Sequence, residues 1–176
     1  MMKWFRRDTS KEVFGHSQFA VARFLLGESL ERGYTVTHMK LQKLVFLGHA
    51  WMLAFYGSPL VRGRVEAWEY GPVFPQLYHE IKHKGAARLS LSDLPEETEE
   101  FDEDETALMM WIVERYGPLT AARLSSLTHA KSSPWEFTRR MGRSQEILPE
   151  QMQVYYRILM DSMNFHGPPQ PRNRPA

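Results

Sequence analysis

One stretch constrains the fold of this chain more than any other: residues 37–57, which read THMKLQKLVFLGHAWMLAFYG. At 100° per residue it carries apolar side chains on nearly every side, and such a helix is buried on most of its faces. Thr37 suits the N-cap, and Gly57 suits the residue that ends the helix. Only the first turn is polar, with Lys40, Gln42 and Lys43, so we expect that end to reach solvent. The rest of the chain must surround this helix.

The hydrophobic spacing and the helix-ending residues predict a mainly α fold, a compact bundle of about six to seven helices around a buried central helix. The surrounding helices are expected over residues 17–32, 75–84, 102–116, 120–129, 133–142 and 149–163. One small β-hairpin is expected from residues 59–61 and 64–68, with its turn at Arg62-Gly63. We divide the chain into an N-terminal arm (1–15), a helical domain (16–164) and a disordered Pro-rich tail (165–176).

Composition restricts the chemistry that the chain can perform. It has no cysteine, which excludes disulfides, thiolate zinc sites and a cysteine nucleophile. Residues 1–10 are too polar for a signal peptide, and no second apolar span accompanies the central helix, so we expect a cytoplasmic protein without a membrane partner. Residues 92–105 hold nine acidic groups and no basic group, which favours a solvated linker followed by the negatively charged first turn of a helix.

The sequence His79-Glu80-Ile81-Lys82-His83 matches H-E-x-x-H, the pattern of a zinc-dependent hydrolase. Here His79 and His83 lie opposite the apolar stripe of their predicted helix, on the side that faces water. No third ligand has a fixed position, so the pair is only a weak metal candidate, and we expect no cofactor and no catalytic residue. A metal-dependent hydrolase nevertheless remains one alternative function.

Two further groups of residues have a structural and a functional interpretation. His49 is the polar side chain in the middle of the central helix, and we expect a buried histidine with one hydrogen-bond partner rather than a catalytic base. Basic side chains flank the acidic block and suggest a nucleic-acid-binding regulator as a second alternative; they are Lys40, Lys43, Arg139, Arg140 and Arg143. Solvated helix faces explain those charges more simply, which makes a nucleic-acid partner the weaker interpretation.

Two blocks of the sequence together resemble a known family. The first, residues 40–82, contains K-L-Q-K-L, then Gly57, Pro59-Leu60 and E-A-W-E-Y-G-P-V-F-P-Q-L-Y-H. The second runs L-T-A-A-R-L-S-S-L-T-H over residues 119–129 and is followed by Pro134-Trp135. In this order they resemble the Panacea domain of the SocA-like antitoxins, which are also described as phage-associated proteins. The resemblance spans about residues 17–160.

The resemblance implies a mostly helical, non-enzymatic antitoxin that neutralises a co-encoded protein toxin by direct binding. Members of one branch of the family act as adaptors that deliver their toxin to a protease, so the resemblance also implies a bacterial protease as a possible partner. An aromatic ring on a stiff loop loses little entropy on binding, so Tyr70, just before Gly71-Pro72, is a candidate contact; the alternative is that Tyr70 packs the hairpin onto the helices. The full set of partner-binding candidates is Lys40, Lys43, Trp68, Tyr70, Gly71, Pro72 and Tyr78.

Overall fold

Helix α2, His38–Tyr56, forms the centre of the structure. The structure is a computed structural model, and it describes residues 15–162. Leu41, Leu44 and Val45 on one side of α2 and Ala50 on another are fully buried. The other elements cover it in chain order as α1 (Gln18–Glu31), β1 (Val65–Trp68), β2 (Gly71–Val73), α3 (Pro75–Ile81), α4 (Glu103–Tyr116), α5 (Ala121–Thr128), α6 (Pro134–Met141), β3 (Glu146–Ile147) and α7 (Pro149–Ser162), with 3-10 turns at Lys82–Lys84 and Leu91–Asp93. The predicted mainly α fold around a buried central helix is confirmed.

The helix ends follow local capping chemistry. The Thr37 side chain accepts a hydrogen bond from the Lys40 backbone, and Gly57 ends α2 with a left-handed φ of 70°. The side chains of Asp102, Thr120 and Ser133 cap α4, α5 and α6 in the same way. The expected N-terminal arm (1–15, apart from Gly15) and tail (165–176) lie outside the described residues.

No helix among residues 15–162 combines the length and the hydrophobicity needed to cross a membrane.

The hairpin prediction is wrong in its first strand. Residues 59–61 form no strand, because Val61 pairs in an isolated bridge with His16 and its N–H donates to His49 Nδ1 at 3.1 Å. The hairpin joins β1 to β2 instead, with Trp68 opposite Gly71. The short strand β3 pairs with the other edge of β1, so the described residues form a three-stranded antiparallel sheet in the order β2-β1-β3.

The expectation that the first turn of α2 reaches solvent is also wrong. Lys40, Gln42 and Lys43 are all buried, beneath elements that include β2 and α5. Their polar atoms bind backbone groups of the covering segments: Lys40 Nζ donates to Gly117 O at 2.6 Å, and Gln42 Oε1 accepts from Phe74 N at 3.1 Å. Buried polar groups are retained where they satisfy otherwise unpaired backbone groups.

His49 is a buried structural histidine, as expected. It is 2% exposed, and burial lowers the pKa of its imidazole to about 4. Its Nδ1 accepts the Val61 N–H, which ties the segment after α2 to the middle of that helix.

The acidic segment is more than a solvated linker. Glu99 accepts hydrogen bonds from Ser17 N at 2.9 Å and Arg62 Nη2 at 3.0 Å, and its Oε2 lies 2.7 Å from His16 Nδ1. Glu105 is buried and accepts the Asp102 N–H in a capping box at the start of α4. Part of the negative charge therefore fastens α1 and α4 to the segment that follows α2.

Candidate partner-binding site

The tip of the β1–β2 hairpin presents an aromatic side chain to solvent. Trp68 and Gly71 are paired, so Glu69 and Tyr70 form a two-residue turn between the strands. Tyr70 is 66% exposed, whereas Gly71 and Pro72 immediately after it are buried. The turn therefore holds a large, solvent-facing ring on a backbone whose next two residues are enclosed.

A buried ammonium group lies directly under this turn. Lys43 of α2 is fully buried, and its Nζ donates to the carbonyl oxygen of Pro72 at 3.3 Å. Gly71 has a φ of 114°, and a β-carbon there would lie 2.5 Å from Lys43 Nζ and 2.8 Å from His129 Nε2. Only glycine combines this φ with such a close approach. The E-Y-G-P sequence and the K-L-Q-K-L lysine thus meet at one point.

Two histidines complete this cluster, which we name the lysine–histidine cluster (His38, Lys43 and His129). His129 Nε2 and His38 Nδ1 are buried and have no hydrogen-bond partner among the described residues. Burial lowers the pKa of both imidazoles, and the positive charge of Lys43 lowers it further. A hydrogen bond with the Tyr70 backbone acts on His129 in the opposite direction.

Burial also lowers the pKa of Lys43, to about 7. Among residues 15–162 its ammonium group has one hydrogen-bond partner, and it is fully buried, so keeping Lys43 charged lowers the stability of the folded state. The lysine–histidine cluster therefore combines three basic groups with lowered pKa values, and its lysine supports the hairpin backbone from inside the molecule.

Aromatic packing fixes the sides of the hairpin. The Trp135 indole N–H donates to Trp68 O at 2.8 Å, and the Trp135 ring stacks on His129 with centroids 3.8 Å apart. The Trp68 ring meets Tyr78 edge to face at 4.8 Å. These contacts join β1 to α3 and α6, so together with Lys43 of α2 three helices hold the hairpin.

The structure brings together six of the seven predicted partner-binding residues. Trp68, Tyr70, Gly71, Pro72 and Tyr78 lie in or against the hairpin, and Lys43 lies beneath it. Lys40 points elsewhere, with its Nζ donating to Thr35 O at 2.9 Å and Gly117 O at 2.6 Å. Because both lysines are buried, neither contributes to the basic surface that the nucleic-acid alternative requires.

The sequence interpretation did not select His38, His129 or Trp135 for this site. The signal for two of them was present, since His129 ends the second motif block and Trp135 closes the Pro-Trp pair. What the sequence could not show was that this block packs against the hairpin of the first.

The possible metal pair lies outside this cluster. His79 and His83 are both exposed, as expected, and His83 lies in the 3-10 turn after α3 rather than on the same α-helix. Within residues 15–162, no group of three or more His, Asp or Glu side chains is placed to hold a metal ion. The pair therefore has no third protein ligand in the described part of the chain.

The fold and the motifs now define a class of protein. Residues 41–136, more than half of the chain, match the family described as antitoxin SocA-like, Panacea domain, and the chain belongs to that family. Among curated relatives, it is similar to antitoxin SocA of Caulobacter vibrioides (strain NA1000 / CB15N), with 28% identity over 130 residues that cover 66% of this chain and 67% of that protein. No solved structure matches. The resemblance indicated by the two motif blocks is thereby confirmed, and with it an antitoxin family role.

Proposed function

We propose that this protein neutralises a co-encoded protein toxin by binding it directly, and that the tip of the β1–β2 hairpin contacts the toxin. Membership of the antitoxin family implies a toxin partner in general and favours a non-enzymatic role. The single observation that supports the contact surface is Tyr70, whose ring is 66% exposed on a turn enclosed from below.

Physical reasoning connects this geometry to binding. A tyrosine supplies a large contact area with few rotatable bonds, and residues of this kind dominate binding energy at interfaces. The turn is already fixed by Lys43, Trp135 and the glycine at position 71, so little backbone freedom is lost when a partner docks. The side chains of Trp68 and Tyr78, which are partly exposed and contact each other, extend the same surface beside the turn.

Direct binding leaves two outcomes for the toxin, and we propose that this chain acts through the complex itself or as an adaptor that delivers the toxin to a bacterial protease. The half-life of the toxin distinguishes them. A toxin that is long-lived alone but short-lived when co-expressed with this protein, and only in cells that hold the protease, indicates an adaptor. A toxin whose half-life is unchanged, while growth is rescued, indicates neutralisation within the complex.

Co-expression with the neighbouring gene tests the proposal. The neighbour's product is expected to arrest growth when made alone and to lose that effect when this protein is present. Tyr70→Ala is expected to weaken rescue, whereas Glu114→Ala, an exposed position on α4, leaves it unchanged and serves as the matched control. Failure of the parent to rescue, with both proteins soluble and the neighbour toxic, contradicts the proposed function.

A further inference from the structure

A second, apolar surface lies between α6 and α7. The two helices enclose a groove of about 540 Å³, with Phe137 on one wall and Val154, Tyr155 and Ile158 on the other. Phe137 is 56% exposed, Val154 58% and Ile158 62%. Exposed apolar side chains that are contiguous mark interaction sites more often than isolated ones do.

The spacing of these side chains fits a helix. Pro134 and Phe137 are three residues apart on α6, and Val154 and Ile158 are four residues apart on α7, so each helix presents to the groove an apolar row about one turn long. Two such rows with a groove between them accept the apolar face of a third helix, whose own contacts recur at i, i+3, i+4 and i+7. The shape thus favours an amphipathic helix over a flat surface.

The charges on the two edges of the groove differ. The α6 edge carries Lys131 and Arg140 against one acid, Glu136, which pairs with Arg140 at 2.8 Å and accepts the Ser132 N–H at 2.6 Å, so Lys131 leaves this edge with a net positive charge. The α7 edge begins with the exposed Glu150. A helix that complements these edges carries acidic side chains toward α6 and a basic side chain near the start of α7.

Helix α6 connects the groove to the hairpin. Pro134 lines the groove, and its neighbour Trp135 donates to Trp68 O at 2.8 Å at the base of the hairpin. One turn of α6 therefore faces the groove on one side and holds the Tyr70 turn on the other. The groove and the base of the hairpin therefore share one supporting helix, α6.

From these four observations we infer that the α6–α7 groove is part of the toxin-binding surface and receives an amphipathic helix of the toxin, acidic on the side that faces α6. This inference rests on the proposed function, because it names a second contact of the same partner. It adds a segment of stated chemistry to a surface that would otherwise consist of the hairpin alone.

Two single substitutions in the groove test the inference with the purified product of the neighbouring gene. Val154→Glu and Ile158→Glu place a charge in the apolar rows at positions that are already mostly exposed, so the fold is expected to persist. Each is expected to weaken toxin affinity by about thirtyfold or more. Leu91→Glu is the control, because Leu91 is 39% exposed on a 3-10 turn beside α1, away from the groove. It is expected to change affinity less than about threefold.

A photo-crosslinking amino acid at position 154 then identifies the toxin segment. The expected crosslinked segment is helical, with apolar residues at i and i+4 and an acidic residue on one side. A crosslink from position 70 but none from position 154 overturns the inference.

The remaining outcomes separate this inference from the function on which it rests. If the parent binds the toxin and the groove variants bind it equally well, the groove assignment fails and the proposed function stands. If the parent does not bind the neighbour's product at all, both fail. If the parent alone is dimeric by light scattering, Ile158→Glu makes it monomeric and toxin affinity is unchanged, the groove receives a second copy of this chain and the inference is overturned.

Discussion

Gly71 and Lys43 approach each other so closely that a β-carbon on the glycine would lie 2.5 Å from the lysine Nζ. The hairpin turn therefore closes directly on a buried ammonium group. This contact helps to explain why an exposed tyrosine can occupy a fixed position: Gly71, which follows it, packs closely against Lys43 and His129, and Lys43 Nζ donates to the carbonyl oxygen of Pro72. It also joins two sequence motifs that lie 28 positions apart, K-L-Q-K-L and E-Y-G-P.

Replacement of Gly71 by alanine is expected to destabilise the fold through this contact. Both the left-handed φ of 114° and the clash with Lys43 Nζ and His129 Nε2 oppose a β-carbon. Gly33→Ala is the matched control, since Gly33 has a φ of 73° but no atom within 4 Å of the added carbon. The conformational cost alone is about 1–2 kcal/mol, and overpacking adds about 1–3 kcal/mol at position 71 only. Chemical denaturation of both variants measures the difference, and equal losses contradict the close packing.

The buried Lys43 predicts a specific dependence of stability on pH. Its pKa is about 7 in the folded protein and returns to its ordinary 10.5 on unfolding. Between these values the unfolded chain binds more protons, so the free energy of unfolding rises as pH increases from about 7 to about 10. The lysine thus costs the folded state most below pH 7, and this cost falls as the pH rises.

Lys43→Met isolates this effect, because methionine has similar length and no charge. The stability of the parent minus that of the variant is expected to rise with pH from 7 to 10, by up to about 1.4 kcal/mol per pH unit. Subtraction cancels other groups, including Lys40, whose pKa is also lowered by burial. Burial and then the Lys43 charge lower the pKa of His38 and His129, away from this pH range. A difference that stays constant across this range shows that Lys43 is not held in a buried, weakly charged state.

Purified protein without a histidine tag is expected to contain no stoichiometric zinc. His79 and His83 are exposed, and among residues 15–162 no third ligand joins them. A single pair of exposed histidines competes poorly with water for the ion. Metal analysis tests this expectation. One zinc per chain that is retained through dialysis and lost in His83→Ala would support the metal-dependent hydrolase instead.

The sequence predicted the helices well because their signals are local. Four helices have a capping side chain that accepts a hydrogen bond from the backbone N–H three residues later; the caps are Thr37, Asp102, Thr120 and Ser133. Such a cap can be predicted without knowledge of the tertiary structure. The apolar residues of α2 likewise required burial whatever covered them.

The predictions were wrong at residues whose hydrogen-bond partners and burial depend on segments far away in the sequence. Val61 resembles a strand residue, yet its N–H is taken by His49 and its partner is His16, 45 positions earlier. Lys40 and Lys43 resemble solvent-facing residues, yet their ammonium groups are buried and donate to the carbonyl oxygens of Gly117 and Pro72. Neither arrangement has a signal in the neighbouring sequence.

The same difference between local and distant signals explains why only part of the candidate site could be predicted. Tyr70, Gly71 and Pro72 are adjacent, and a Gly-Pro pair predicts a stiff turn, so the local sequence was enough to select all three. His129 and Trp135 contact the hairpin only because α5 and α6 pack against it. The sequence carries no local signal for that packing.

A comparison of two variants, Leu44→Ala and Tyr70→Ala, tests the central claim most directly. Leu44 is fully buried in the core, so its truncation is expected to cost about 2–5 kcal/mol of stability and to lose neutralisation by unfolding. Tyr70 is 66% exposed, so Tyr70→Ala is expected to keep most of the melting temperature while weakening toxin binding by about 2 kcal/mol or more, about thirtyfold.

Thermal unfolding and toxin affinity, measured together on the parent and both variants, give the result. Tyr70→Ala is expected to separate the two quantities, with near-parental melting and an affinity reduced about thirtyfold. If Tyr70→Ala melts as early as Leu44→Ala, or binds the toxin as tightly as the parent, the hairpin tip is part of the scaffold and the contact assignment is contradicted.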